Sequence, residues 1–220
     1  MRQFYTIKHR KDMEKLSIYN LIILDESGSM ECIKKQALSG LNETIQTICA
    51  ATKEDPDQTQ KVTLISFNSD HQNYIYDQLE AAKCHTITQK DYVPDGCTPL
   101  FDAMGNAFVK LKKELKSDEN YRVLVTVITD GMENASREYS VDSIGLIIDA
   151  LKKDNWIFSY IGANQDAVEE ARKMNIGNSM NWVADAKGTV DMLAAERTSR
   201  TNFYRRVRKE SSKDLNESLF

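Results

Sequence analysis

The segment YRVLVTVIT (121–129) is an almost unbroken run of apolar and β-branched side chains. A strand wetted on one face alternates polar and apolar residues, so a run of this kind belongs in a sheet covered on both faces, near its centre. Around it, short β-rich runs alternate with helical stretches. YNLIIL (19–24) precedes a helix whose apolar positions Met30, Ile33, Ala37, Leu41, Ile45 and Ile48 recur at intervals of three and four. KVTLISF (61–67) and NYIYD (73–77), parted by a short polar turn, predict a hairpin, and a hairpin can join a parallel sheet only at its edge. A second helix carries Leu100, Phe101, Met104, Phe108 and Leu111 on one stripe. After 121–129 come a helix through Val141, Ile144, Ile148 and Leu151, a strand at WIFSYI (156–161), a helix near Asp166 to Met174, a short strand around Met180 to Val183, and a last helix from about Thr189 to Val207. The pattern predicts an α/β fold: a doubly wound three-layer sandwich on a mostly parallel six-stranded sheet with one antiparallel edge strand. Residues 1–16 read as an N-terminal extension, 17–207 as the domain, and 208–220 (RKESSKDLNESLF from 208) as a polar tail that frays.

Composition narrows the class of function. With 41% hydrophobic and 28% charged residues the chain can bury one core, and nine Gly with three Pro exclude collagen-like and Pro/Gly-rich disordered chains. A net charge of -4 supplies no global field for polyphosphate, so nucleic acid is not an expected partner. The longest apolar run, Leu21 to Leu24, falls far short of the roughly 20 residues of a membrane span. MRQFYTIKHRKDMEKL at the start is charged throughout and lacks an apolar signal region. Cys32, Cys49, Cys84 and Cys97 are spread without CxxC or zinc spacing, which fits free thiols in a reducing compartment, and a cytoplasmic address is expected.

In doubly wound sheets ligands gather at the carboxyl ends of the strands. Three loops there have unusual content: DESGSM (25–30) after the first strand, DGCTPLFDA (95–103) before the second helix, and TDGMEN (129–134) after the central strand. Asp25, Ser27 and Ser29 alternate along the first loop, so a turning backbone can aim their oxygens at one point, and Thr98 and Asp130 add two more. Oxygen donors with no nitrogen or sulfur suit a hard cation, Mg²⁺ or Mn²⁺ before Ca²⁺.

This arrangement resembles the von Willebrand factor A domain with its metal-ion-dependent adhesion site, in which DxSxS, a distant Thr and a distant Asp surround one divalent ion. Asp25, Ser27, Ser29, Thr98 and Asp130 match the five positions, and the order of strands and helices is similar over nearly all of the chain. The resemblance is to bacterial-type stand-alone intracellular members. It implies a protein-interaction module without catalysis, in which hydroxyl ligation leaves the ion electropositive enough to accept an Asp or Glu carboxylate from a partner protein. Oligomeric state is not legible.

Simpler readings stand beside these. Asp25 and Ser29 suit a helix N-cap, Asp130-Gly131 a turn, and Thr98-Pro99 a helix start. Three coincidences on one edge are less economical than one site. Cys97 reads as a small buried hydrophobe rather than a redox group. Met30 and Met132 suit either an apolar rim for a partner or packing beneath the site. Arg205, Arg206, Arg208 and Lys209, interspersed with Glu210 and Asp214, read as a solvated face. Asn164 and Asp166 read as loop chemistry, and His9, His71 and His85 lie outside the three loops. The enzyme alternative is a haloacid-dehalogenase-like metal-dependent phosphatase, but Ser27 stands where its acid/base Asp would be, and no lysine is placed for the phosphate.

Overall fold

The computed structural model describes residues 15–115, 120–163, 167–183, 185–207, 209–210 and 212–217. The elements run β1 (Leu16–Asp25), α1 (Lys34–Glu54), β2 (Gln58–Phe67), β3 (Gln72–Glu80), α2 (Leu100–Glu114), β4 (Tyr121–Thr129), α3 (Val141–Lys152), β5 (Trp156–Ala163), α4 (Ala167–Lys173), β6 (Asn178–Trp182), α5 (Ala186–Arg206) and α6 (Ser212–Glu217). One six-stranded sheet has the order β3-β2-β1-β4-β5-β6. Every neighbouring pair is parallel except β2 with β3, the hairpin at the edge. The expected fold class is the one observed.

Winding proceeds outward from β1 in one direction and outward from β4 in the other. The switch point therefore lies between these two strands, whose register sets Ile22 against Thr126 and Leu24 against Ile128. Asp25 ends β1 and Asp130 follows the last residue of β4, so the register brings both residues to the same end of the sheet, Asp130 one step beyond the level of Asp25.

Strand alternation divides the apolar residues between two layers. Ile18, Ile22 and Leu24 of β1, with Leu124 and Ile128 of β4, pack under α1 and α5. Tyr19, Leu21 and Ile23, with Val123, Val125 and Val127, pack under α2 and α3. Both faces of the central strands are buried, which is why the sequence of β4 lacks alternation. No helix among the described residues is long and apolar enough to cross a membrane.

Several boundaries differ from the sequence reading. The stretch read as the start of the first helix is a 3-10 turn over Gly28–Ile33, and α1 begins only at Lys34. Asp185 caps α5, its side chain accepting from Gly188 N at 2.6 Å, so that helix begins at Ala186. Part of the segment expected to fray is ordered as α6: Leu215 is buried, and Asn216 pairs with the main chain of β5 through Phe158 N (3.1 Å) and Trp156 O (2.8 Å). That pairing covers the part of β5 that precedes its first partner in β6, Ser159 opposite Asn178. Residues 1–14, Asn164, Asp166 and Arg208 lie outside the described residues.

Beneath α5 lies a buried polar cluster. Arg200, 3% exposed, donates from Nε to Glu196 Oε1 (2.5 Å), from Nη2 to Thr126 Oγ1 (2.8 Å) and from Nη1 to Asn20 Oδ1 (3.3 Å). Tyr204 Oη also donates to Asn20 Oδ1, at 2.6 Å. Burial of an ion pair this deep is tolerable only because neighbouring polar groups satisfy the remaining donors.

Candidate metal centre

The Asp25 carboxylate is fully buried at the end of β1. Its Oδ1 accepts from Ser27 N at 2.8 Å, a local loop closure of the kind the capping interpretation anticipates, and its Oδ2 accepts from Thr129 Oγ1 at 2.5 Å. Ser27 stands at the N-cap of the 3-10 turn but makes no side-chain cap. Its hydroxyl lies 3.2 Å from that of Ser29, and Ser29 Oγ donates to Asp130 Oδ1 at 2.7 Å. A continuous chain of oxygens thus joins the first and third loops.

Thr98 is reached from the other side. Asn134 clamps its main chain: Thr98 N donates to Asn134 Oδ1 (2.9 Å), and Asn134 N donates to Thr98 O (3.1 Å). Gly131 marks where the three loops meet, since a methyl group placed on it would stand 3.5 Å from both Ser29 Oγ and Thr98 Oγ1. The structure therefore brings Asp25, Ser27, Ser29, Thr98 and Asp130 to one edge.

The electrostatics describe a site short of positive charge. Burial pushes the Asp25 carboxyl above the ordinary range despite the opposing bonds from Thr129 and Ser27, and nearby Asp130 pushes it the same way. Asp130 is raised too, chiefly by burial, against the bond from Ser29. Neither carboxylate has a basic partner among the described residues. Two desolvated carboxylates, three hydroxyls and the opening left by Gly131 fit a hard divalent cation better than a soft one. No group of three or more His, Cys, Asp or Glu side chains placed for a metal occurs among the described residues, so an ion here would depend on the hydroxyls.

Around this edge, Met30 is completely buried and packs beneath the turn, whereas Met132 is 66% exposed at the rim. Cys97 is exposed, contrary to its reading as a core residue, because the Cys97 N–H is held on Ser69 Oγ and the loop runs over the surface. Arg206 pairs with Glu210 one turn on and Arg205 lies 4.0 Å from Glu54 of α1, so the basic cluster is partly neutralised. Sequence reasoning missed Thr129, Asn134, Tyr92 and Glu26. The first could have been found, since a Thr closing an apolar strand beside TDG is polar where the strand should be apolar. An open cleft of 730 Å³ adjoins Thr98, bordered by Ser69, His71, Cys97, Asp102 and Arg137.

A family model for the von Willebrand factor type A domain matches residues 21–195. The chain belongs to this family. The von Willebrand A match takes in the second half of β1, all of the other five strands and all three loops of the candidate site. Members of the family are typically adhesion or protein-interaction modules and usually non-catalytic. Solved structures with a similar von Willebrand A fold include the proximal thread matrix protein 1 of the mussel byssus (TM-score 0.56, 14% identity, 81% of this chain and 44% of that one). The SpRpn10 VWA domain is another (TM-score 0.54, 12% identity, 81% and 94%). The manganese-loaded Plasmodium vivax TRAP protein is a third (TM-score 0.52, 17% identity, 82% and 71%). The chain spans less than half the length of the mussel protein. No curated protein sequence matches it.

Proposed function

We propose that this von Willebrand A domain is a divalent-metal-dependent protein-interaction module. In this reading Asp25, Ser27, Ser29, Thr98 and Asp130 hold one Mg²⁺, with Mn²⁺ or Ca²⁺ as alternatives, and the ion takes an Asp or Glu carboxylate from a partner protein. The observation that carries it is the oxygen chain from Ser27 through Ser29 to Asp130, with Thr98 facing it across Gly131. When bound, the ion supplies an electropositive coordination position. The chain's own residues do the rest. Thr129 orients the Asp25 carboxylate through its hydroxyl, Asn134 fixes the Thr98 main chain, and the hydroxyls contribute oxygens without adding negative charge. A fold neighbour, the Plasmodium vivax TRAP protein, is manganese-loaded, which supports a site for a hard divalent ion.

Catalysis is not part of the proposal. Where phosphatase chemistry of the haloacid-dehalogenase kind needs an acid/base carboxylate, Ser27 offers a hydroxyl already set against Ser29. A cytoplasmic setting is proposed as well, supported by four unpaired cysteines.

The test is capture of partners from lysate in Mg²⁺, with chelator and moderate salt as separate arms. A metal-carboxylate contact should be lost in chelator and persist in salt, because exposed ion pairs are screened over about 8 Å at physiological ionic strength whereas a short coordinate bond is not. Thr98→Ala should weaken the same capture. Partners held equally by wild type, Thr98→Ala and chelated protein would place binding on another surface and defeat the proposal.

A further inference from the structure

Thr98 is the one proposed ligand that no strand places. It closes a stretch without regular structure that runs from Cys84 to Pro99, between a 3-10 turn at Ala81–Lys83 and α2. Asn134 holds its main chain from the β4 side, and contacts of the loop itself hold the approach to it from the β1 side. Four hydrogen bonds fasten residues 92–96 to residues 25–28. Tyr92 Oη donates to Asp25 O at 2.5 Å, Asp95 N to Glu26 O at 2.9 Å, and Gly28 N to Gly96 O at 3.0 Å. The fourth uses a side chain: Val93 N donates to Glu26 Oε1 at 2.6 Å.

Glu26 is a carboxylate only 4% exposed, next to Asp25, on an edge already rich in negative charge. Burying a charge there is costly unless both oxygens are used. Its second oxygen, Oε2, lies 3.1 Å from His71 Nε2 in the β2–β3 turn, and Glu26 N donates to Phe67 O at 2.8 Å. One side chain thus joins three segments: the DESGSM loop, the hairpin turn and the loop that leads to Thr98.

We infer that Glu26 is a positioning residue, a latch that holds the Thr98 loop against the DESGSM loop and thereby sets the metal affinity of the edge. The inference rests on the proposed metal site for its affinity arm and on geometry alone for its loop arm. Outer groups that orient metal ligands typically change affinity by about 10–100-fold when removed.

Glu26→Ala and Glu26→Gln should be compared by Mg²⁺ titration calorimetry and by amide hydrogen exchange of the metal-free proteins. Glu26→Ala should speed exchange at Val93, Asp95 and Gly96 and weaken Mg²⁺ by about 10–100-fold. Glu26→Gln retains an acceptor for Val93 N and should stay near wild type in both readouts. Unchanged exchange in Glu26→Ala would overturn the latch. Equal loss of affinity in both variants, with exchange unaltered, would show that Glu26 acts by its charge and not by position. A wild type indifferent to Mg²⁺, with exchange still accelerated in Glu26→Ala, would overturn the metal reading and the coupling to it while leaving the loop latch standing. Should Glu26→Ala fail to fold, His71→Ala frees one oxygen of the latch, and wild-type exchange and affinity in that variant would overturn the inference.

Discussion

Thr129 Oγ1 donates to Asp25 Oδ2 at 2.5 Å, across the seam where β4 and β1 end together. Together with the bond from Ser27 N to Oδ1, it fixes the orientation of the carboxylate. Thr129→Val keeps the shape of a fully buried side chain but leaves Oδ2 without its donor, at a cost of about 1–3 kcal/mol. Mg²⁺ affinity should fall by about 10–100-fold, and urea unfolding in chelator should register the stability loss. Unaltered Mg²⁺ affinity would mean that the orientation of Asp25 is irrelevant to binding.

Asp130→Ala should abolish stabilisation by Mg²⁺ and leave the fold intact. Asp130 sits at the sheet edge, and its raised pKa reflects the cost of its burial, so metal-free stability should not drop. Thermal unfolding across a Mg²⁺ series checks this: wild type should rise by mass action and the variant should stay flat. A variant already unfolded without metal would make Asp130 a structural residue.

Gly131→Ala separates room from chemistry. The added methyl would lie 3.5 Å from Ser29 Oγ and Thr98 Oγ1, an ordinary contact distance, so the protein should fold as before. The methyl would nevertheless stand between the loops that supply the hydroxyls. Loss of Mg²⁺ response with an unchanged melting temperature in chelator is the expected result. Normal Mg²⁺ binding would place the ion elsewhere.

Arg200 and Glu196 form a pair that should not be halved. Arg200→Met strands the buried Glu196 carboxylate, removes the guanidinium's bonds to Asn20, Thr126 and Tyr204, and should cost about 3–5 kcal/mol in urea denaturation. Replacing both, Arg200→Met with Glu196→Leu, should recover much of that loss, since two apolar groups leave no uncompensated charge. A double variant as unstable as the single one would mean that the pair is net stabilising.

Periodicity revealed the sheet because strand burial is written into composition: β4 lacks alternation, and β2–β3 announces itself by two β-rich runs around a polar turn. The ligand loops were legible for a different reason. Asp25, Ser27 and Ser29 alternate in chain, and Asp130 follows a strand whose end is unmistakable. Glu26 left no such mark, because a carboxylate inside a polar loop looks the same whether it is solvated or bonded to Val93 N and His71. Arg200 was hidden likewise, as one of many charges on a weakly amphipathic α5. Its partner Asn20, a polar residue inside YNLIIL, was the available signal, pointing inward at a position where an apolar side chain was due. Asn216 could not be read at all, since its pairing with β5 depends on where β6 begins.

That last contact has a consequence for handling the protein. Trp156 and Phe158 lie on a strand whose outer ladder would be bare ahead of Ser159, and the Asn216 amide fills the gap with one donor and one acceptor, a side chain imitating a neighbouring strand. Open ladders recruit other chains. Cutting the polypeptide before α6, as a trimming strategy based on its polar composition would suggest, should yield material that self-associates while its far-ultraviolet spectrum stays native, turning the short terminal helix into a solubility element.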